Sequence, residues 1–284
     1  MIRWVLVALT VLTLSACTTM RLGYNSANTL IAYRMNDWFD TSGELEAPAR
    51  ERLDSVIAWH RREELPEYSR LLLGARERFA DPAPFTPEQV LAMQKQVTQR
   101  LVRTGDKAAD AFADLFPRFG LAQRKRVIAR MDESNAEFTE KNIDISPAKL
   151  RKRRIDDMED RFAFWFGKLD ASQRERIEKW ADEAEPSGTE RLAVRRMRQT
   201  AFLNIMDTGK TASVPETNRK LKAFFADLET PADAGVRERQ RKQLQHWAAL
   251  TSDLINSASP AQRARIQEKI KTMSDDFLTL SRQK

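Results

Sequence analysis

Side chains able to do acid–base or ionic chemistry come closest together in one run. That run is Trp59-His60-Arg61-Arg62-Glu63-Glu64. A histidine beside carboxylates suits proton transfer, and adjacent carboxylates can form a buried acid pair. Alternating charges on a helix are more often a solvated face, where ion pairs contribute little. We predict no catalytic residue and keep the following as possible binding residues: Trp59, His60, Arg61, Arg62 and Glu64.

The wider set of ligand-forming residues is sparse. The only other histidine is His246, which adjoins Trp247. A metal site needs more ligands at helical spacing, such as His-x-x-x-His or Glu-x-x-His. The sequence has no such spacing, no Gly-rich phosphate loop, no Gly-x-Ser-x-Gly elbow and no Cys–His pair. We therefore predict that the chain is not an enzyme and binds no metal.

A second basic run precedes an aromatic stretch. Arg151, Lys152, Arg153 and Arg154 come before the aromatic residues of 162–166. Such a run could contact a lipid surface or an acidic polypeptide, although the aromatic spacing is typical of core packing. These four basic residues are kept as further possible binding residues. The formal net charge of +7 otherwise suits a soluble surface.

The elements that carry these residues are helices. Glycine is 9 of 284 residues, and good helix formers dominate, with no alternating apolar pattern and no Asn-Gly or Asp-Gly turn. The sequence predicts an all-α fold, an elongated multi-helix bundle. Helix starts recur as a polar cap followed three residues later by glutamine, at Thr86, Asp170 and Ser259. Pro66 should kink or restart a helix, and the helix near 189–207 should place Arg191, Arg195 and Arg198 on one face.

The first residues have the pattern of an export signal. Arg3 precedes an apolar stretch from Val5 to Leu14, which is too short to cross a bilayer, and small residues then lead to Cys17. The Leu14-Ser15-Ala16-Cys17 run resembles the lipobox of bacterial lipoproteins. The resemblance implies cleavage before Cys17 and a diacylglycerol and an acyl chain such as palmitate on that residue. The only group we expect on the protein is this covalent lipid.

The domain limits follow from the same reading. We predict a cleaved signal peptide at 1–16, a lipidated tether at 17–28, an N-terminal helical region at 29–186 and a C-terminal helical region at 189–284. The linker Pro186-Ser187-Gly188 separates the two helical regions. Residue Thr18, where such lipoproteins retained in the inner membrane have Asp, implies the outer membrane, facing the periplasm. Export argues against nucleic acid as a partner.

Two further resemblances concern the body. The lipobox, Gly23-Tyr24-Asn25, Asp37-Trp38 and the run from Trp59 to Pro66 resemble a family of uncharacterised Gram-negative outer-membrane lipoproteins known only as a domain of unknown function. That resemblance brings no activity. The helix starts at Gln123, Gln173 and Gln262 resemble the Thr/Ser-x-x-Gln motif of helical periplasmic chaperones related to Spy and CpxP, although capping alone needs these residue types.

The resulting functional hypothesis is non-catalytic. We expect a lipid-anchored periplasmic protein that binds envelope proteins or unfolded clients, as a chaperone or a scaffold. The alternative is binding of anionic lipid or cell-wall polymer through Arg-rich helix faces. The partners predicted are the membrane, through the anchor, and an envelope protein or unfolded client.

Overall fold

The computed structural model describes residues 20–184 and 187–283. Within these ranges the protein consists of helices and has no strand, which confirms the all-α prediction. Cys17 and the predicted signal peptide lie outside the described residues. The described α-helices are α1 (Ala27–Phe39), α2 (Glu46–Trp59), α3 (Leu65–Ala80), α4 (Pro87–Phe112), α5 (Leu121–Asn142), α6 (Pro147–Phe166), α7 (Ala171–Glu183), α8 (Gly188–Gly209), α9 (Val214–Glu229), α10 (Ala234–Asn256) and α11 (Pro260–Ser281).

The helices surround two apolar cores. The first core is formed by side chains of α2, α4, α5, α8 and α9 together with the 3-10 helix Ala113–Arg118, and includes the buried Val127 and Met206. The second core is formed by α6, α7, α10 and α11, and includes the buried Ile177 and Leu254. Helix α4 passes both cores, because Ala109 lies in the first and Met93 packs against the second. At 26 residues, α4 is about 39 Å long, which is enough to join them.

The first core draws on both predicted helical regions. Ala49 and Met131 precede the proposed linker, whereas Ile205 and Leu221 follow it. The second core likewise joins Met158 to residues of α10 and α11. Each core is therefore built from helices on both sides of residues 187–188. The predicted domain limits themselves stay a prediction.

The recurring glutamines are helix caps that also join two helices. Thr86, Asp170 and Ser259 each accept a hydrogen bond from the amide three residues later, and the glutamine there accepts one from the amide of the cap residue. Gln173 and Gln262 are buried as well, and their side-chain amides bond reciprocally at 3.0 and 2.9 Å. The starts of α7 and α11, 89 residues apart, are thereby fixed side by side.

Candidate binding cleft

The run of predicted binding residues at 59–64 lies where one helix gives way to the next. Residues His60–Glu64 form a π-turn between α2 and α3, in which the Leu65 amide donates to the His60 carbonyl. Pro66 follows directly at the start of α3. Proline has no amide hydrogen to donate and its ring crowds the preceding turn, so the wider π-turn accommodates it. The prediction that Pro66 restarts the helix is confirmed, and we call His60–Glu64 with Trp59 the junction.

Glu64 is the most buried charged group of the junction. Its side chain is 0% exposed, and one carboxylate oxygen lies 3.1 Å from Nε of Arg103 and 3.6 Å from Nη1 of Arg100. The Arg103 guanidinium also lies over the Trp59 ring, 5.6 Å from its centre, which is within the reach of about 6 Å for a cation–π contact. The junction is therefore tied to α4 by a buried carboxylate between two cations.

His60 and Arg61 bind both ends of the described chain. The Tyr24 hydroxyl lies 2.8 Å from Nδ1 of His60, and Arg61 donates to the Asn25 side chain at 3.2 Å and to Gln283 at 3.3 Å. Burial lowers the pKa of His60 below its ordinary value. The hydrogen bonds of both side chains are thus made within the protein.

Two of the motifs behind the first family resemblance meet at this place. Tyr24 and Asn25 contact His60 and Arg61, so the two motifs are adjacent in the fold although 36 residues separate them. Residues 20–25 are helical. Residues of 20–28 therefore contact the body, and the predicted lipidated tether at 17–28 stays a prediction. A role of the junction in binding another molecule stays a prediction.

The second predicted basic run is divided in the structure. Arg151 donates to Asp182 at 2.9 Å, and Lys152 bonds Asp156 at 2.7 Å on its own helix. Arg153 and Arg154 instead line a cavity between helices, where Arg154 donates to the Ala184 carbonyl at 2.9 Å. Only half of the run therefore faces a space that a ligand could enter.

Three adjoining cavities form a cleft between the two cores. The apolar cavity, about 740 Å³, is lined mainly by α3, α6, α10 and α11. The basic cavity, about 720 Å³, shares Met158, Arg161 and Trp247 with it. The aromatic cavity, about 610 Å³, shares Arg191 and Arg239 with the basic cavity. The shared side chains show that the three cavities are neighbours, and we call them together the cleft.

Positive charge is concentrated in the basic and aromatic cavities. Among their described lining residues, eight side chains are cationic and three are acidic. The cationic residues are Arg153, Arg154, Arg161, Arg191, Arg195, Arg198, Arg239 and Lys242. The acidic residues are Asp157, Glu183 and Glu190. The excess of five is most of the +7 that the whole sequence carries.

Four of these eight cations have no counter-charge close by among the described residues. In residues 20–184 and 187–283, no carboxylate lies within 4.0 Å of the guanidinium groups of Arg153, Arg161, Arg191 or Arg239. Nη2 of Arg153 is buried and has no hydrogen-bond partner there. A buried donor without a partner costs about 1–3 kcal/mol, so an incoming acceptor would be stabilised at this point.

The surroundings of Arg191 disfavour its positive charge. Burial, and then the like charges of Arg154 and Arg195, lower its pKa below the ordinary value for arginine. Its guanidinium lies 5.2 Å from the centre of the Phe138 ring, and that of Arg195 lies 5.6 Å from the same ring. Arg195 also donates to Asn135 at 3.0 Å. The predicted grouping of Arg191, Arg195 and Arg198 on one face is confirmed, since all three line the aromatic cavity.

The ends of the cleft are apolar. Phe79, Phe162, Trp165 and Ile270 line the apolar cavity, beside Asp160 and Arg161 as its charged residues. Trp38, Phe202 and Phe224 line the aromatic cavity. Cavities of this size with apolar walls and a few placed polar groups are the usual form of ligand sites. The cleft thus offers apolar surface on either side of a basic centre.

Several cleft residues were not predicted from the sequence. Arg161 on α6 and Arg239 and Lys242 on α10 belong to no motif. Arg161 follows Arg154 by seven residues, and Lys242 lies three residues after Arg239 and four before His246. Only this helical spacing could have suggested that each set shares a face. Helix α10 packs against α4 and α7, and this packing brings Arg239 and Lys242 to the same cavity as Arg161. Nothing local in the sequence records that juxtaposition.

Comparison with known proteins gives a family. Residues 37–230 match a family of unknown function, DUF6279, which is more than half of the chain. The chain belongs to the DUF6279 family. The DUF6279 match covers the junction and cleft residues from Arg153 to Arg198, whereas Arg239 and Lys242 lie beyond it. No curated protein and no solved structure matches the chain.

Neither a metal centre nor a membrane-spanning helix is found among the described residues of this DUF6279 chain. In the part of the chain that the structure describes, no group of three or more His, Cys, Asp or Glu side chains is placed to hold a metal ion. Over the same residues, no helix has both the length and the apolar character that crossing a bilayer requires. The predicted absence of a metal and of an enzymatic activity stays a prediction.

Proposed function

We propose that the protein is a non-catalytic binding protein whose cleft takes acidic, apolar-containing segments of envelope proteins or unfolded clients. The observation that carries this proposal is that Arg153, Arg191 and Arg239 line the cleft with no carboxylate within 4.0 Å among the described residues, beside apolar and aromatic side chains. An acidic stretch would be drawn to Arg153, Arg191 and Arg239, and its apolar neighbours would bury aromatic surface on either side. Charge complementarity of this kind speeds encounter, and apolar anchors then supply affinity.

A polypeptide fits the cleft better than the alternative of anionic lipid or cell-wall polymer held by Arg-rich helix faces. The helix face that would bind lipid or polymer is partly neutralised, because Arg151 and Lys152 already pair with Asp182 and Asp156. Arg153, Arg191 and Arg239, which have no carboxylate within 4.0 Å among the described residues, lie inside the cleft instead. A chain with apolar side chains beside an acidic stretch uses all three cavities, whereas a polymer of uniform charge leaves the apolar cavity unused.

We further propose that the protein is a Gram-negative outer-membrane lipoprotein on the periplasmic face, with lipid on Cys17. The support is the run Leu14-Ser15-Ala16-Cys17 after a short apolar stretch, followed by Thr18. Mass spectrometry of the mature amino terminus tests this directly. We expect cleavage before Cys17 and the mass of acyl chains on that residue, and a Cys17→Ser chain should lose its lipid. An unmodified Cys17 would contradict the anchor and leave the cleft proposal standing.

The cleft is tested with defined peptides on the full chain held in lipid nanodiscs. The probes are a labelled peptide with Asp and Glu in its centre and Leu and Phe at both ends, and the same peptide with Lys in place of the acids. We expect the acidic peptide to bind, the basic one not to bind, and added salt to weaken binding because the attraction is ionic. Empty nanodiscs give the background.

Two matched variants locate the binding. Arg239→Gln combined with Arg191→Gln should weaken peptide binding about tenfold, equivalent to about 1.4 kcal/mol. Arg241→Gln is the control, since Arg241 lies on the same helix and already pairs with Glu238 at 2.6 Å. Equal effects of the two changes would contradict the cleft proposal. Binding of short-chain phosphatidylglycerol at these arginines without any peptide binding would support the alternative instead.

A further inference from the structure

Helix α1 has apolar side chains on two opposite faces. Met35, Trp38 and Phe39 pack against the first core from one side of the helix. Leu30 and Tyr33 lie on the other side and are exposed. Because successive helical residues are turned by about 100°, these two groups point in nearly opposite directions. The described fold covers only one of the two faces.

The exposed face continues into the residues before α1. The Ser26 amide donates to the Leu22 carbonyl and the Leu30 amide to the Ser26 carbonyl, both at 3.0 Å, so helical bonding persists across the turn at Ser26. Leu22 is then on the same side as Leu30 and Tyr33, within an arc of about 80°. The three side chains, between 61% and 65% exposed, form what we call the outer stripe. Arg34 beside it is exposed too.

The segment that carries the outer stripe is held firmly to the body. Nε of Arg21 lies 2.6 Å from the Asp276 carboxylate, which is almost fully buried on α11. Tyr24 bonds His60, Asn25 bonds Arg61, and Asn28 donates to Asp54. The stripe therefore has a fixed direction relative to the two cores and the cleft.

We infer that the outer stripe lies on the lipid bilayer and sets the orientation of the whole body on the membrane. The inference rests on the proposed anchor at Cys17, which is only five residues before Leu22. A short connection to acyl chains keeps this segment at the bilayer surface. Leucine, tyrosine and a nearby arginine on one helical side are typical of helices that lie in the membrane interface. The bilayer is thus the occupant that the position of the stripe in the chain selects.

The test uses the lipidated full chain in vesicles of phosphatidylethanolamine and phosphatidylglycerol. Cys17 is the only cysteine, so once it carries lipid, a new cysteine is the only free thiol. An environment-sensitive NBD dye is attached to Leu30→Cys and, as the control, to Leu101→Cys. Leu101 on α4 has nearly the same exposed fraction, 59% against 61%. We expect a blue-shifted, brighter emission at position 30 and a water-like emission at position 101.

Flotation of the vesicles in the same samples separates the possible outcomes. Chains that float but show a water-like emission at position 30 would overturn the stripe inference and leave the anchor intact. Chains that do not float would overturn both. Position 22 provides a second reading, because a dye on Leu22→Cys should shift as position 30 does. A blue shift at position 101 equal to that at position 30 would show a general association with lipid and would also overturn the inference.

Discussion

The junction and the cleft are both rich in arginine, and they differ in where the counter-charges lie. At the junction, Arg103 approaches the buried Glu64 and Arg62 pairs with Glu63. In the cleft, Arg153, Arg191 and Arg239 have no carboxylate within 4.0 Å among the described residues. Paired charges stabilise a packed arrangement, whereas unpaired ones are held in place at a cost. The run of charges that is more conspicuous in the sequence is therefore the one whose charges are paired within the fold.

The largest change in the free energy of unfolding is expected at the junction. Glu64→Ala leaves Arg100 and Arg103 without their shared carboxylate and opens a cavity, so we expect a loss of about 3 kcal/mol in the free energy of unfolding. Urea denaturation measures it. Glu63→Ala is the matched control, because Glu63 is exposed and its ion pair among the described residues is with Arg62. We expect that change to cost about 0.5 kcal/mol or less. Similar losses for the two variants would mean that Glu64 is not a structural charge.

A smaller effect is expected from the pH dependence of the junction. Burial lowers the pKa of His60 in the folded protein, so the unfolded chain binds more protons as the pH falls. Stability should therefore be full above about pH 6.5, the ordinary value for histidine, and should decrease as the pH falls through that value. His60→Gln should remove this decrease in urea titrations at several pH values, and His246→Gln should retain it. A His60→Gln chain with the unchanged pH profile would refute the assignment.

The smallest effect is expected in the cleft, and it has the opposite sign. The like charges of Arg154 and Arg195 help to lower the pKa of Arg191. Arg191→Gln removes that repulsion, so we expect the free energy of unfolding to rise by about 0.5 kcal/mol. Arg124→Gln is the contrast, since Arg124 pairs with Asp207 at 2.7 Å and its removal should give no gain. A loss of stability in Arg191→Gln would show that this arginine is a structural residue and would argue against ligand binding at this position of the cleft.

Local signals in the sequence were sufficient for the helices and their starts. Thr86, Asp170 and Ser259 begin helices as predicted, because a cap needs only residues three positions apart. The reciprocal bonding of Gln173 with Gln262 could not be predicted, since it depends on how two helices 89 residues apart approach each other.

The same limit explains the candidate sites. The grouping of Arg191, Arg195 and Arg198 follows from helical spacing, whereas their neighbours Arg153 and Arg239 come from other helices. Arg151 and Arg153 look alike in the sequence, yet only the position of α7 supplies Asp182 to one of them. Whether a charge is paired is a property of tertiary packing and is absent from the local pattern.

The bond between Arg21 and Asp276 has a consequence for how the chain assembles. The two residues are 255 positions apart, so the first described turn obtains its partner only after the last helix exists. Contacts this distant carry a large loop-closure entropy and form late in folding. We therefore expect the segment that carries Arg21 to dock onto α11 as one of the final steps of folding.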